Sequence, residues 1–247
     1  MVYDCFVFFN ELDLLEIRLN TLGAHVDRFV LVESDLTFSG NKKPCHYLEN
    51  RSRYDAFADK IIHIRSVLSG FDPEAHWQRE YKQRNDIMLG LLDAKDDDLI
   101  IISDVDEIWK AQSCRGKLCS HPNVFSQTSY RWKLNIQTDQ EWFGSYIMQY
   151  RDLKNSSPQN YRLVRHSMLV IKNGGWHFSW LSEGYADKID KLEAFSHQEL
   201  NTDEFKTYLK DDIPGDIFKE NLQKVSIDES YPTFILNNMD RFKKYIV

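Results

Sequence analysis

The chain has 247 residues, 42% hydrophobic and 13% aromatic, which suits one sizeable α/β domain. Its 31 basic and 38 acidic side chains give a net charge of −7, a surface that repels a phosphate backbone and excludes nucleic acid as the expected partner. No apolar run approaches the ~20 residues of a membrane span, and the N-terminus lacks the basic-then-apolar pattern of a signal peptide, so a soluble cytoplasmic protein is expected.

Tyr3 to Phe9 is an apolar, aromatic run of strand length. Asn10 is placed to cap a following helix, with Asp13 in its first turn. Leu12, Leu15, Leu19 and Leu22 repeat at helical spacing, and Gly23 stands where the helix ends. Phe29 to Val32 is a second strand, closed by Glu33 and Ser34. Strand–helix–strand is the unit of a parallel sheet. Ile61 to Ile64 predicts a third strand. Asp72-Pro73 predicts a helix start, with the helix running to about Leu92 and Trp77, Tyr81, Arg84, Met88 and Leu91 on one face.

Leu99 to Ile102 is the most apolar short run and predicts a central parallel strand covered on both faces. It leads into Ser103-Asp104-Val105-Asp106-Glu107. Beyond it come short β-like runs at Phe125 to Trp132, Tyr161 to Val164 and Met168 to Ile171, then Gly174-Gly175-Trp176-His177-Phe178. Helical patterns return at Ala186 to Phe195 and, capped by Thr202, as far as Leu209. Lys210 to Gly215 reads as a loop and Asp240 to Val247 as a mobile tail. Cys5, Cys45, Cys114 and Cys119 fit neither a zinc ribbon nor a disulfide scaffold; free thiols are expected, a Cys114–Cys119 bridge being the alternative. There is no internal repeat. The expected architecture is a single α/β domain, with a nucleotide-binding half over residues 1–110 and a mixed α+β half, rich in Trp and Tyr, over 111–247.

Ligands of a parallel sheet bind beyond the carboxyl ends of its strands, where Asp104 and Asp106 lie. Two carboxylates one residue apart can converge on a divalent cation; hard oxygen ligands suit Mg²⁺ or Mn²⁺ shared with a diphosphate. The other reading of the pair is a solvated acidic turn. His177, flanked by glycines and aromatics, either completes the metal shell or simply packs. Arg84 on an apolar face needs an anion, either a nucleotide or a carboxylate of the protein. Glu33 either accepts a hydrogen bond from a ribose or base, or caps a loop. Lys42, Lys43, Arg51 and Arg53 form either a phosphate-side patch or solvated surface.

Several stretches taken together resemble the family 17 glycosyltransferases: Tyr-Asp-Cys-Phe-Val-Phe-Phe-Asn-Glu-Leu-Asp-Leu-Leu-Glu-Ile-Arg-Leu (3–19), Val-Glu-Ser-Asp-Leu-Thr-Phe-Ser-Gly (32–40), Ile-Ile-Ser-Asp-Val-Asp-Glu-Ile (101–108), Gly-Gly-Trp-His-Phe-Ser-Trp (174–180) and Phe-Ser-His-Gln-Glu (195–199). The resemblance implies a GT-A, Rossmann-like fold, a UDP-sugar donor with UDP-N-acetylglucosamine as first choice, a glycan acceptor, and inversion at the anomeric carbon. It matches Asp104 and Asp106 to the family's metal-and-diphosphate motif and His177 to its histidine. The matching stretches also carry Asn10, Glu11, Val105 and His197, expected on the donor. The chain lacks the membrane anchor and stem of the animal Golgi enzymes and looks like the short bacterial or viral-type relatives. Leu181-Ser182-Glu183-Gly184 stands where a glycine-richer loop is expected, which leaves the acceptor open.

Inversion needs a base on the acceptor side. Asp139, Glu141, Glu183 and Glu199 are the candidates, Glu141 drawing interest from its neighbour Trp142. Two other functions compete. A haloacid-dehalogenase-like phosphatase would use Asp104 as nucleophile, although Ile108 occupies a position usually held by Thr or Val and two strand–helix units precede the motif. A non-catalytic carbohydrate-binding protein would leave the acidic pair unexplained.

Overall fold

A computed structural model describes residues 1–114, 121–215 and 219–247 of the chain. The first half alternates strands and helices: β1 (Val2–Val7), α1 (Leu12–Leu22), β2 (Arg28–Glu33), α2 (His46–Asn50), β3 (Ile61–Arg65), α3 (His76–Asn85), β4 (Leu99–Asp104) and β5 (Glu107–Trp109). The second half runs β6 (Asn123–Phe125), β7 (Gln127–Arg131), β8 (Ile136–Trp142), β9 (Tyr146–Gln149), α4 (Tyr150–Leu153), α5 (Pro158–Val164), β10 (Leu169–Ile171), β11 (Gly175–Ser179), α6 (Tyr185–Ala194), α7 (Asp203–Tyr208), β12 (Leu222–Lys224), α8 (Thr233–Leu236) and α9 (Met239–Phe242).

Two sheets result. The larger has seven strands in the order β10-β6-β9-β4-β1-β2-β3. Its β3-β2-β1-β4 half is parallel, and β9 enters antiparallel to β4 and β6. The smaller sheet has five strands in the order β12-β8-β7-β11-β5. The architecture is α/β, with a mostly parallel central sheet, flanking helices and a mixed second half.

Side chains alternate along β1 as a covered strand requires. Phe6 faces the cluster containing Leu15, Leu19 and Leu22 of α1, while Tyr3 and Cys5 face Ile87, Leu91 and Met148. Ile101 of β4 joins the first cluster, and Ile100 and Ile102 join the second. Both faces of the central strands are therefore buried, and the carboxyl ends of β1 and β4 open to a cavity.

Five expectations need correction. Asn10 does not cap α1: the flanking residue is Glu11, whose carboxylate accepts from the amides of Phe9 and Asn10 at 3.2 and 3.1 Å. Asp72 does not cap α3, because its side chain closes a local turn onto the Glu74 amide at 3.0 Å and the helix begins at His76. That helix ends at Asn85 in a 3₁₀ turn over Asp86–Gly90. Gly90 there lies against Val30 so closely that a Cβ would come within 2.4 Å of it. Tyr161–Val164 is helix, not strand: Ser157 caps α5 by accepting from the Asn160 amide at 3.2 Å, and Pro158 opens it. The segment from Asp240 is anchored rather than mobile; Phe242 is fully buried, Tyr245 donates to Asp13 at 2.9 Å, and the Val247 amide donates to Asn135 at 3.1 Å.

Cys5 and Cys45 are buried free thiols, and Cys119 lies outside the described residues. No helix among the described residues is long and apolar enough to cross a membrane.

Candidate active site

Strand β4 ends at Asp104 and β5 begins at Glu107, in different sheets, so Val105-Asp106 forms the turn between them. Arg18 of α1 holds this turn from below. Its guanidinium is fully buried, pairs with Asp4 of β1 at 2.6 and 2.8 Å, and donates to Ser103 Oγ at 2.6 Å. It also donates to the carbonyls of Asp104, Val105 and Glu107 at 3.1, 3.2 and 3.0 Å. Trp109 steadies Asp4 through a 3.0 Å bond from Nε1. A planar fork with five donors is the side chain that can serve a carboxylate and several carbonyls at once.

Above the turn lies a cavity of about 630 Å³, within the usual size of small-molecule sites. Its floor is a charge network. Asp104 accepts from Arg84 of α3 at 2.9 Å and from Arg162 of α5 at 2.8 Å, one guanidinium on each oxygen. Arg84 also binds Glu80 at 3.0 Å and Gln159 at 2.6 Å. Arg162 reaches Glu107 at 2.8 and 3.0 Å, and Glu107 further accepts from Trp142 Nε1 at 2.7 Å and the Asp104 amide at 2.9 Å. Gly144 is required here, since a Cβ would meet Glu107 Oε1 at 2.1 Å. Burial raises the Asp104 carboxyl, but Arg162 and Arg84 outweigh it and hold the group well below the usual carboxylate range.

Asp106 faces the cavity differently. Lys191 of α6 donates to it at 3.4 Å, the long end of hydrogen bonding, and His177 Nε2 stands 3.9 Å from its other oxygen. The His177 ring stacks on Trp142, with centroids 4.5 Å apart, and its Nδ1 lies 3.4 Å from Ser129 Oγ. Burial, reinforced by Arg131 and Lys191, lowers the His177 pKa against the pull of Asp106 and Glu107. Asp106 Oδ1 and His177 Nε2 are of the right chemistry for a divalent ion but stand 3.9 Å apart, wider than the about 3 Å between neighbouring ligands of an octahedral ion, so an ion would have to draw them together. Asp104 has both oxygens committed to guanidinium groups. Among the described residues no group of three or more His, Cys, Asp or Glu could hold a metal, so an ion at this pair would need its remaining ligands from water and substrate.

The cavity gathers most of the expected residues: Glu11, Arg84, Asp104, Val105, Asp106, His177, His197 and Glu199 all line it. Both Arg84 alternatives stay open, since its partner here is a carboxylate of the protein and its side chain faces the cavity. Glu33 is fully buried and caps α2, accepting from the Tyr47 and Leu48 amides at 3.0 and 3.1 Å. Lys42 is exposed outside the cavity and its neighbour Lys43 lines it. Arg53 is spent on Asp13 and Glu16. Among the proposed bases, Asp139 pairs with Asn221 across the β8–β12 hairpin, Glu141 is exposed on β8, and Glu183 binds Lys244 at 2.5 Å; none of the three lines the cavity. Arg162, Glu107, Lys191 and Glu80 had no role expected from sequence. Arg162 was hidden by the strand-like pattern around it, although Ser157-Pro158 signalled a helix.

The profile of glycosyltransferase family 17 matches residues 1–243. The chain is 31% identical over 108 residues to the β-1,4-mannosyl-glycoprotein 4-β-N-acetylglucosaminyltransferases of Homo sapiens and Rattus norvegicus; the match covers 40% of this chain and 20% of each relative. The chain thus matches about a fifth of the length of these curated relatives. Among solved structures it is similar to 4-diphosphocytidyl-2C-methyl-D-erythritol synthase, at 12% identity over 69% of this chain and 88% of that one with a TM-score of 0.42. It is also similar to the inositol-1-phosphate CTP transferase of T. maritima, at 9% identity over 99% and 97% with a TM-score of 0.40. With a profile match over nearly its whole length, the chain belongs to glycosyltransferase family 17.

Proposed function

We propose that the protein transfers a sugar, N-acetylglucosamine first among candidates, from a UDP-sugar to a glycan hydroxyl with inversion at the anomeric carbon. The supporting observation is the pairing of Asp106 with His177 at the carboxyl end of the central sheet, beside Lys191 and above a turn fixed by Arg18. Residues 1–110 are assigned chiefly to the donor and 111–247 chiefly to the acceptor, with His177 and Lys191 of the second half reaching the donor side of the shared cavity.

In this reading Asp106 and His177 would hold Mg²⁺ or Mn²⁺, which would offset negative charge on the departing nucleoside diphosphate. Lys191 contributes a second positive charge there, and its long contacts to Asp106 and Glu11, 3.4 and 3.8 Å, leave it able to turn to a phosphate. Arg84 and Arg162 keep Asp104 ionised and in place. Trp142 closes one wall by stacking on His177, so that Nε2 stays aimed at Asp106. A phosphatase using Asp104 as nucleophile is disfavoured, because both of that carboxylate's oxygens accept from guanidinium groups.

Thermal melting with UDP and a panel of nucleotide sugars, with and without Mn²⁺, tests the reading. Ligand bound to the native state raises Tm, and UDP-sugars with Mn²⁺ are expected to give the largest shift. Asp106→Ala should keep its fold, lose that shift, and transfer sugar at least about 10²–10³-fold more slowly. Normal transfer by this variant in chelator-treated buffer would end the metal role given to Asp106, and the absence of transfer from every UDP-sugar by the wild type would end the transfer reading itself.

A further inference from the structure

A base is needed to take the acceptor's proton, and the cavity offers six carboxylates: Glu11, Glu80, Asp104, Asp106, Glu107 and Glu199. Five of them face a lysine or arginine of the protein. Glu80 binds Arg84 at 3.0 Å and accepts from Ser196 at 2.5 Å. Asp104 and Glu107 share Arg162. Asp106 and Glu11 face Lys191, and Glu11 also holds two backbone amides. A carboxylate stabilised by a permanent cation is a weak base, because its charged form is already favoured.

Glu199 differs. Its hydrogen-bond partner is His197 Nδ1, at 2.5 Å, and the two side chains are 61% and 49% exposed. Trp77 of α3 stands edge-on to the His197 ring with centroids 4.6 Å apart, Phe195 packs at 5.6 Å, and all four residues line the cavity. The hydrogen bond to His197 holds the Glu199 carboxyl below the usual carboxylate range. The other titratable groups nearby are His76, on the same helix as Trp77, and Glu80, bonded to the adjacent Ser196.

Building on the glycosyl-transfer reading above, we infer that His197 is the general base and Glu199 the positioning residue that fixes its tautomer. Glu199 accepts the Nδ1 proton, which leaves the lone pair on Nε2. As the acceptor oxygen forms its bond to the anomeric carbon, its proton passes to Nε2. The bond from that carbon to the diphosphate oxygen breaks, and its electron pair leaves with the nucleoside diphosphate. A carboxylate–imidazole pair raises the basicity of the imidazole in the step where its charge develops. The exposed Trp77 ring offers the acceptor's sugar a flat apolar platform beside the base.

His197→Gln, Glu199→Gln and wild type, compared for transfer, UDP affinity and the pH dependence of kcat, test the assignment. His197→Gln should bind UDP within about twofold of wild type yet transfer at least about 100-fold more slowly, without the acid limb of the wild-type profile. Glu199→Gln should lose about tenfold and keep an acid limb moved to lower pH, since the imidazolium loses its anion. Added imidazole should restore part of the activity of His197→Ala. Wild-type turnover and acid limb in His197→Gln, or loss of its UDP binding, would overturn the inference. A wild-type protein that moves no sugar from any UDP-sugar would instead defeat the transfer reading, and this assignment with it.

Discussion

At and beneath the floor of the cavity the side chains of Arg84, Arg162 and, under the turn, Arg18 are 3%, 11% and 0% exposed, each bound to carboxylates of the protein. At the rim, His197 and Glu199 are 49% and 61% exposed and hold each other by a single hydrogen bond. The floor is assembled from permanent charges in low dielectric, so its protonation and geometry are set at folding. The rim is assembled from half-exposed side chains that meet water and hold each other by one hydrogen bond, so its geometry is free to change during a reaction cycle. A site that must both hold a leaving group in place and move a proton divides these tasks between floor and rim.

That division is open to direct attack. The largest effect is expected beneath the floor: Arg18→Met leaves Asp4 buried without its cation and should cost about 3–5 kcal/mol of stability, read by urea unfolding. A loss below about 1 kcal/mol would mean the turn stands without its clamp. At the rim, Trp77→Ala should leave stability almost unchanged and raise the acceptor KM about 2- to 10-fold, with UDP affinity unaltered, in steady-state kinetics. An effect on UDP instead would move the platform to the donor side. The smallest effect belongs to neither region and serves as a control. Burial raises the Asp13 carboxyl, but Lys244, Arg53 and Tyr245 hydrogen-bond to it and hold its pKa at about 2 against an ordinary 3.8. The stability this gives is complete above about pH 3.8 and lost as pH falls towards 2. Asp13→Asn should therefore show a flatter Tm profile than wild type over that interval, with transfer at neutral pH unaffected.

The sheet was legible because β1, β2 and β4 are buried on both faces, so their apolar runs carry no competing signal. The acidic pair was legible because it ends the most apolar run. What the pattern concealed was the partner of each charge. Arg162 lies 58 residues from Asp104 in the chain, and pairing at such distance leaves no local trace. Glu107 reads as a surface acid but is fully buried, because Arg162 and Trp142 supply its partners. Glu141 misled through its neighbour: on a strand, successive side chains point to opposite faces, so when Trp142 turns into the cavity Glu141 turns to solvent. Glu33 caps a helix rather than a loop, because the end of β2 meets the first turn of α2, whose free amides need an acceptor.

The turn at Val105-Asp106 is also a seam between the seven-stranded and five-stranded sheets, since its two flanking strands belong one to each. The chain crosses between the same two sheets again at Ser126, at 143–145 and at 172–174, so this turn is one of several short crossings, and an anion in the cavity meets side chains carried by both sheets at once.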